Sequence, residues 1–141
     1  MIELIRDYFT GIIYSSNPDL KFDGYVFETE KTGMSGLENT YKLTIGAMTT
    51  EKIDTGLSSV VPVLVTIYAH STIDFVKFFD QTYNDAICIQ ASACNVENIL
   101  QDSYIKGVTS SGITPSAIDG DDNFMKFDIN FSVSVYYIHT T

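Results

Sequence analysis

The sequence predicts an α+β protein in which an antiparallel sheet carries helices packed on one face, in the order α-β-β-α-β-β. Three patterns predict this fold: two stretches of apolar residues at helical spacing, several stretches of alternating apolar and polar residues, and an unusually long C-terminal strand. At 141 residues the chain is expected to form a single domain over residues 1–141, without a linker or an internal repeat.

The C-terminal strand, predicted from Phe124 to Ile138, is the most informative of these patterns. Its two faces differ in polarity, with Phe127, Ile129, Phe131, Val133, Val135 and Tyr137 on one and Lys126, Asp128, Asn130, Ser132, Ser134 and Tyr136 on the other. At about 3.3 Å per residue the strand would span on the order of 50 Å. Since a chain of this length has a radius of gyration of roughly 14 Å, the strand is expected to bend sharply or to reach past its domain to a neighbour.

The first helix is predicted over residues 2–15, because apolar residues recur at helical spacing there and Pro18 stops the pattern. Residues 25–27 have the composition of a short additional strand. The polar segment Glu30–Thr40 contains two glycines and is expected to be a mobile loop.

Two strands are predicted next, over Tyr41–Met48 and from Val60 to Tyr68, with the turn-rich stretch Thr49–Ser58 between them. Pro62 lies early in the second of these strands. Because proline cannot donate to a ladder of hydrogen bonds, Pro62 is expected at a sheet edge or at a bulge.

A second helix is predicted to begin at Ser71 or Thr72, either of which would cap it. Its expected core-facing stripe consists of Phe75, Val76, Phe79, Tyr83, Ala86 and Ile87. A further strand is predicted over Ile99–Val108, and the long segment Thr109–Asn123, with two glycines, one proline and three aspartates, is expected to be a loop.

The charge balance excludes one large class of function. The chain has 18 acidic and 8 basic side chains, a net charge of −10 and a single arginine, Arg6. Because proteins contact nucleic acids chiefly through lysine and arginine, tight nucleic-acid binding is not expected.

The sequence also indicates the compartment of the protein. The start of the chain lacks the pattern of a signal peptide, and no apolar stretch approaches the length of a membrane span. Cys88 and Cys94 are expected to be small buried thiols. These features predict a reducing, aqueous compartment.

No arrangement of residues predicts catalysis, a metal site or a cofactor. The two histidines, His70 and His139, occur outside the usual zinc motifs, and neither Ser71 nor any other serine lies in a nucleophile-elbow motif. We therefore do not expect an enzyme.

Two short motifs are better explained as polar turns. Asp119, Asp121 and Asn123 have the spacing of the first calcium ligands in an EF-hand loop, but Phe124 and Asn130 occupy the positions of its glycine and glutamate. Gly33-Met34-Ser35-Gly36 has the form of a nucleotide-clamping GXXG loop, but the flanking residues include Glu30 and Glu38 in place of basic ones.

The whole pattern resembles the tail-terminator proteins of long-tailed bacteriophages, which are small acidic domains that assemble into hexameric rings. The features that match are the chain length, the order of elements, the long terminal strand Phe124–His139 and the turn-rich loops Thr49–Ser58 and Thr109–Asn123. The match covers nearly the whole chain, but the family has no chemical motif whose residues could be carried over. Head-to-tail connector and tail-tube subunits have much of the same outline.

The resemblance implies a structural virion protein in the neck region of the tail, made in the host cytoplasm. Such a ring caps the tail tube, ends its polymerisation and presents a joining surface to the filled head. Its partners would be further copies of itself, the tail tube protein and a head-completion or connector protein, while DNA would pass through the channel without specific binding. The alternative class is a soluble ligand-binding or enzymatic domain, which would be monomeric with a polar pocket.

Two sets of residues are the candidates for these surfaces. Turn residues expected to line an acidic channel are Glu51, Asp54, Asp119, Asp121 and Asp122. Residues on the polar side of the final strand that are expected to meet a neighbouring subunit or the tube are Ser132, Ser134 and Tyr136.

Overall fold

The computed structural model of the chain describes residues 2–18, 20–25, 40–53, 56–70, 75–100, 104–118 and 121–138. The elements are α1 (Ile2–Ser16), β1 (Lys21–Tyr25), β2 (Thr40–Ile45), β3 (Thr49–Ile53), β4 (Gly56–His70), α2 (Phe75–Ala93), α3 (Val96–Leu100), β5 (Ile105–Ile118) and β6 (Asp121–Ile138). The chain therefore has the expected α+β composition, and β1, β3 and α3 are additions to the predicted order. Residues 26 and 27 of the predicted additional strand lie outside the described residues.

The strands form one sheet in the order β1-β2-β4-β6-β5, and β3 pairs with β4 beside β2. Strands β2, β4, β6 and β5 pair antiparallel, as expected. The pairing of β1 with β2 is parallel, which the sequence did not predict. A parallel pair needs a long connection that returns the chain to the same end of the sheet, and residues 26–39 separate these two strands.

The long strand β6 stays within its own sheet. It runs over 18 residues and pairs with β4 from Phe124, opposite His70, to Ile138, opposite Gly56. On its other side β6 pairs with β5. Of the two alternatives expected for this strand, the reach past its domain to a neighbour is wrong, because β4 lies beside it from Phe124 to Ile138.

Pro62 lies in the central strand β4, neither at an outer edge of the sheet nor at a register shift with β6, contrary to both alternatives expected for it. The edge of β4 that faces away from β6 is shared by two strands: β3 pairs with it up to Val60, and β2 pairs with it from Val63. Pro62 lies at the junction, where its carbonyl accepts a hydrogen bond from the Gly46 N–H at 2.9 Å. The missing N–H of proline is tolerated because it falls between two partner strands.

The segment Thr49–Ser58, expected to be rich in turns, is mostly strand: Thr49–Ile53 is β3, residues 56–58 begin β4, and Ile53 pairs with Gly56. The predicted strand Tyr41–Met48 is shorter at its end, since β2 stops at Ile45. Of the predicted loop Glu30–Thr40, Thr40 belongs to β2 and the other residues lie outside the described residues.

The predictions for the region before β6 were wrong in two places. Part of the predicted strand Ile99–Val108 belongs to α3, and most of the predicted loop Thr109–Asn123 is strand. The cause is that β5 is an edge strand, where Pro115 costs little because an edge needs hydrogen bonds on one side only. Gly112, with φ of +143°, follows a register shift of the kind made by a β-bulge.

The core lies between the helices and one face of the sheet. In α1, Ile5, Phe9 and Ile13 are fully buried, as the helical spacing predicted. The strands contribute the odd-numbered side chains of β4 and β6, with Val61, Val63, Val65 and Ile67 from the first and Phe127, Ile129, Phe131, Val133 and Val135 from the second. Phe9 contacts Phe131 and Phe79 of α2 contacts Phe127, so both helices pack on this face.

The buried stripe of α2 differs in part from the prediction. Ala86 is buried and Phe79 and Tyr83 are partly buried, but Ile87 is 45% exposed. The buried positions continue through Ile89 and Ala93, so the helix is rotated away from Ile87. The predicted cap at Ser71 or Thr72 lies outside the described residues, as do the side chains of Phe75 and Val76.

The two cysteines are free thiols, as expected, but only one is shielded from solvent. Cys88 is exposed on α2, which contradicts the prediction of a buried thiol, whereas Cys94 is partly buried just after the helix. Burial raises the pKa of the Cys94 thiol.

Candidate interaction surface

The face of the sheet opposite the helices is the most distinctive surface of the molecule. Because side chains alternate along a strand, the even-numbered residues of β4 and β6 lie on this face. We call it the open face and define it by Val60, Pro62, Leu64, Thr66 and Tyr68 of β4, the residues opposite them on β6 (Ser134, Ser132, Asn130, Asp128 and Lys126), and Lys42 of β2 opposite Thr66. Both long helices pack on the other side of the sheet.

One end of the open face is apolar and uncharged. Val60 is 43% exposed, Pro62 is exposed and Leu64 is half-buried. The residues across from Val60 and Pro62 are the small polar Ser134 and Ser132. This combination of apolar and small uncharged side chains loses little hydration when it is covered, which makes it suited to contact with another protein surface.

The other end of the open face carries charge. The Thr66 hydroxyl, on a residue only 5% exposed, donates a hydrogen bond of 2.8 Å to Asp128 Oδ1. Lys126 Nζ lies 3.9 Å from Asp128 Oδ2, and Lys42 Nζ lies 5.7 Å from the ring centroid of Tyr68. Two lysines and one aspartate thus share this end.

The three residues predicted to meet a neighbour lie along the same strand. Ser132 and Ser134 belong to the open face opposite Pro62 and Val60, and Tyr136 continues the row opposite Ser58. All three are half-buried, and the Tyr136 N–H donates to the Tyr104 carbonyl at 2.9 Å. The structure therefore brings this set together, although its contact with a neighbour stays a prediction.

The acidic residues proposed for a channel are not brought together in the described part of the chain. Glu51 belongs to β3 opposite Ser58, whereas Asp121 and Asp122 begin β6 at the far end of the sheet. Their assignment to turns was wrong, because β3 and β6 extend over these positions. Asp54 and Asp119 lie outside the described residues.

The motifs considered for chemistry add nothing to this surface. The GXXG segment and His139 lie outside the described residues, and His70 ends β4. Within the described ranges no three His, Cys, Asp or Glu side chains are grouped as a metal site. Burial raises the pKa of Tyr41 to about 12. Among the described helices, none combines the length and apolarity needed to span a membrane.

The charged end of the open face was not predicted from the sequence. Its members come from three strands that are distant in sequence, so no local spacing connects Lys42, Thr66 and Asp128. The available signal was the alternation itself, which already placed Lys126 and Asp128 on the polar side of β6.

The fold and this surface define a two-layer α+β domain whose notable feature is a sheet face opposite the two long helices, on which none of the described helices packs. No protein-family profile matches the sequence, and no curated protein matches it. Among solved structures, the fold is similar to that of a chain in the virion of a native gene transfer agent (GTA) particle. The TM-score is 0.54 at 10% sequence identity, and the similarity covers 89% of this chain and 84% of the other. At this identity the similarity concerns the fold.

Proposed function

We propose that this protein is a structural subunit of a phage-like virion and acts by assembly, not by catalysis. The observation that carries the proposal is the fold shared with a chain of a gene transfer agent virion over most of both chains. Because unrelated functions occur on one fold, the surface has to supply a second argument. That surface is the open face, one end of which has the uncharged, partly apolar character of a contact between proteins.

The more specific proposal is that the subunit forms a ring that caps the tail tube, ends its polymerisation and joins the tail to the head. Its support is the resemblance to tail-terminator proteins in chain length and in the long C-terminal strand, which is observed as β6. A closed ring requires two unlike surfaces on each subunit, and the helix layer and the open face are two such surfaces. The net charge of −10 suits a channel through which DNA slides, because acidic walls repel phosphates. Glu51, Asp54, Asp119, Asp121 and Asp122 stay the proposed lumen groups on the ground of their charge alone, since Glu51 and Asp121 lie at opposite ends of the sheet.

The proposal is tested by light scattering during size-exclusion chromatography over a range of protein concentrations, followed by electron microscopy of the largest species. We expect closed rings, with six subunits if the resemblance to tail terminators holds. A protein that stays monomeric at every concentration, and that also fails to bind isolated tail tubes, would contradict the proposal and favour a ligand-binding domain.

Electron microscopy with tube protein and with heads distinguishes a tail terminator from a connector or a tail-tube subunit. The shared fold is compatible with a connector or tail-tube subunit, since the matching chain is described only as part of a virion. A tube subunit would polymerise into long tubes, and a connector would bind heads. A terminator should instead stop tubes from growing when it is added to polymerising tube protein.

A further inference from the structure

The sheet has two outer edges, and an exposed strand edge is a template on which a strand of another molecule can pair. One edge is β5, and the other is formed by the end of β2 followed by β3. Within the described ranges, no strand pairs with the outer side of β5 or of β3, and β1 pairs with β2 only as far as Leu43. The main-chain groups along these edges therefore decide whether copies of the chain can join by extending the sheet.

The direction of each main-chain N–H group along β5 follows from its pairing with β6. In an antiparallel pair, successive residues direct their N–H and C=O groups alternately towards the partner strand and away from it. The Tyr136 N–H donates to the Tyr104 carbonyl, so the even-numbered residues of β6 face β5. Their partners on β5, such as Thr114 opposite Asp128, face β6 in turn. The residues of β5 that face outwards are therefore Val108, Ser110, Ile113, Pro115 and Ala117.

Two extra residues interrupt this outward row. The register between β5 and β6 shifts by one residue at two places, which leaves Lys106 and Ser111 in excess on β5. Because of Ser111, the step from Ser110 to the next outward residue, Ile113, is three residues long, whereas a partner strand requires a step of two. A regular strand cannot follow the edge across either shift.

Pro115 removes a donor from the same edge. It lies opposite Phe127, so its nitrogen faces away from β6, and its missing N–H is missing from the outer side of the sheet. The pairing with β6 loses nothing by it. Together with the two extra residues, Pro115 limits the longest unbroken row of outward donors on β5 to the two N–H groups of Val108 and Ser110.

The opposite edge of the sheet is interrupted in a related way. β2 ends with Ile45 opposite Val63, and β3 begins with Thr49 opposite Val60. Residues 46–48 therefore lie against two residues of β4, and one residue is in excess. The extra residue changes which positions face outwards, since they are odd-numbered in β2 and even-numbered in β3.

We propose that these irregularities close both edges of the sheet to a further strand. Strand addition stabilises a complex through a continuous ladder of main-chain hydrogen bonds, and neither edge offers an unbroken row of donors for such a ladder. In the assembly proposed above, on which this part of the inference rests, copies of the chain therefore contact one another through side chains and do not continue each other's sheet.

The first test restores the outward row of β5 in the full-length chain. Deletion of Ser111 combined with Pro115→Val returns a regular spacing and an N–H to the outward positions. We expect this variant to self-associate at a concentration about tenfold or more below that of the wild type. The products should bind thioflavin T and show the infrared absorption of intermolecular sheet. Thr114→Val is the matched control, because it adds similar apolarity at a residue that faces β6, and it should behave as the wild type does.

The second test restores the other edge. Deletion of Met48 removes the excess residue between β2 and β3 and makes the outward positions continuous. The same gain in self-association is expected. Met48→Ala is the control, since it removes the exposed Met48 side chain but keeps the excess residue, and it should stay as dispersed as the wild type.

Two further measurements keep the result interpretable if a deletion disturbs folding. Thermal melts establish which variants are folded, and Pro115→Val alone is the milder variant, with three successive outward donors from Ile113 to Ala117. In the wild type, hydrogen exchange of the Val108 and Ser110 amides is compared before and after assembly. These amides should gain no protection, because no strand is added beside them.

The outcomes separate closed edges from the ring itself. Folded variants with restored edges that stay as dispersed as the wild type would overturn the proposal, as would protection of the Val108 and Ser110 amides in assembled rings. A wild type that never assembles, free or on tails, overturns the ring, whereas the closure of the edges is still decided by the variants of the free subunit.

Discussion

The rings of Phe9 and Phe131 lie with their centroids 4.9 Å apart and tilted by 54°, which fixes α1 on the longest strand of the sheet. Phe9 is fully buried and Phe131 is 4% exposed. The contact connects the first element of the chain with the last one and belongs to the centre of the core.

Replacing Phe131 with alanine should lower the free energy of unfolding by about 3–5 kcal/mol, because it leaves a cavity under α1. Urea denaturation measures the change. Ser132→Ala, one residue along on the open face, is the control and should change stability by no more than about 0.5 kcal/mol. Equal losses in both variants would contradict the assignment of the two faces.

Gly46 should not tolerate a side chain. A Cβ atom there would lie 2.8 Å from Pro62 Cγ, and the proline ring has little freedom to move away. Gly46→Ala is therefore expected to cost about 1–3 kcal/mol through overpacking. Gly11→Ala is the matched control, because nothing lies within 4 Å of its Cβ position. That change, on an exposed face of α1, should stabilise the protein by about 0.5–1 kcal/mol.

Tyr41 should make the protein less stable in strong alkali. Burial raises its pKa from 10.0 to about 12, so the folded state holds a proton that the unfolded state releases. The stability from neutral Tyr41 is complete below pH 10.0 and is lost as the pH rises towards about 12. Unfolding curves at several pH values for the wild type and Tyr41→Phe should show a shallower alkaline decline in the variant. Parallel declines would contradict this prediction.

The two cysteines should differ in reactivity. Cys88 is exposed, whereas Cys94 is partly buried and burial raises its pKa, which lowers the fraction of reactive thiolate. Alkylation with iodoacetamide followed by mass spectrometry should label Cys88 first in the folded subunit and both at similar rates in denaturant. Faster labelling of Cys94 in the folded protein would show that the end of α2 is more open than described.

Ser134→Lys should separate folding from assembly. Ser134 lies on the open face opposite Val60, so a lysine there extends into solvent in the monomer and should change stability little. If the open face meets a neighbour, the added charge should block ring formation. A Ser134→Lys protein that melts normally and still assembles would mean that this part of the face is solvated.

The alternation in β6 and the helical spacing in α1 predicted which side chains form the core. Phe127, Ile129 and Phe131 are buried where a period of two places them, and Ile5 and Phe9 where a helical period places them. These patterns succeed because one face of each element meets one continuous core.

The failures have a common physical cause, which is that the position of a strand in the sheet is a tertiary property. Pro115 and Gly112 indicate a loop in the sequence but lie in an edge strand, and Pro62 indicates an edge but lies in the centre. Whether the missing backbone N–H of a proline costs a hydrogen bond depends on whether a partner strand lies beside that residue in the sheet. The open face was likewise only half predictable, because its charged end combines residues from β2, β4 and β6.

The pairing of β4 with β6 also determines when the sheet can form. Every partner of β4 on that side is synthesised about 50 to 80 residues later, so the central ladder requires closure of a large loop. A nascent chain that has completed α2 but not β6 lacks both the middle of its sheet and the strand that carries Phe131. The subunit should consequently fold slowly and late, after the ribosome has delivered β6. Until then the uncharged strand β4 has an unpaired edge that other nascent chains could bind, which makes synthesis the stage most exposed to aggregation.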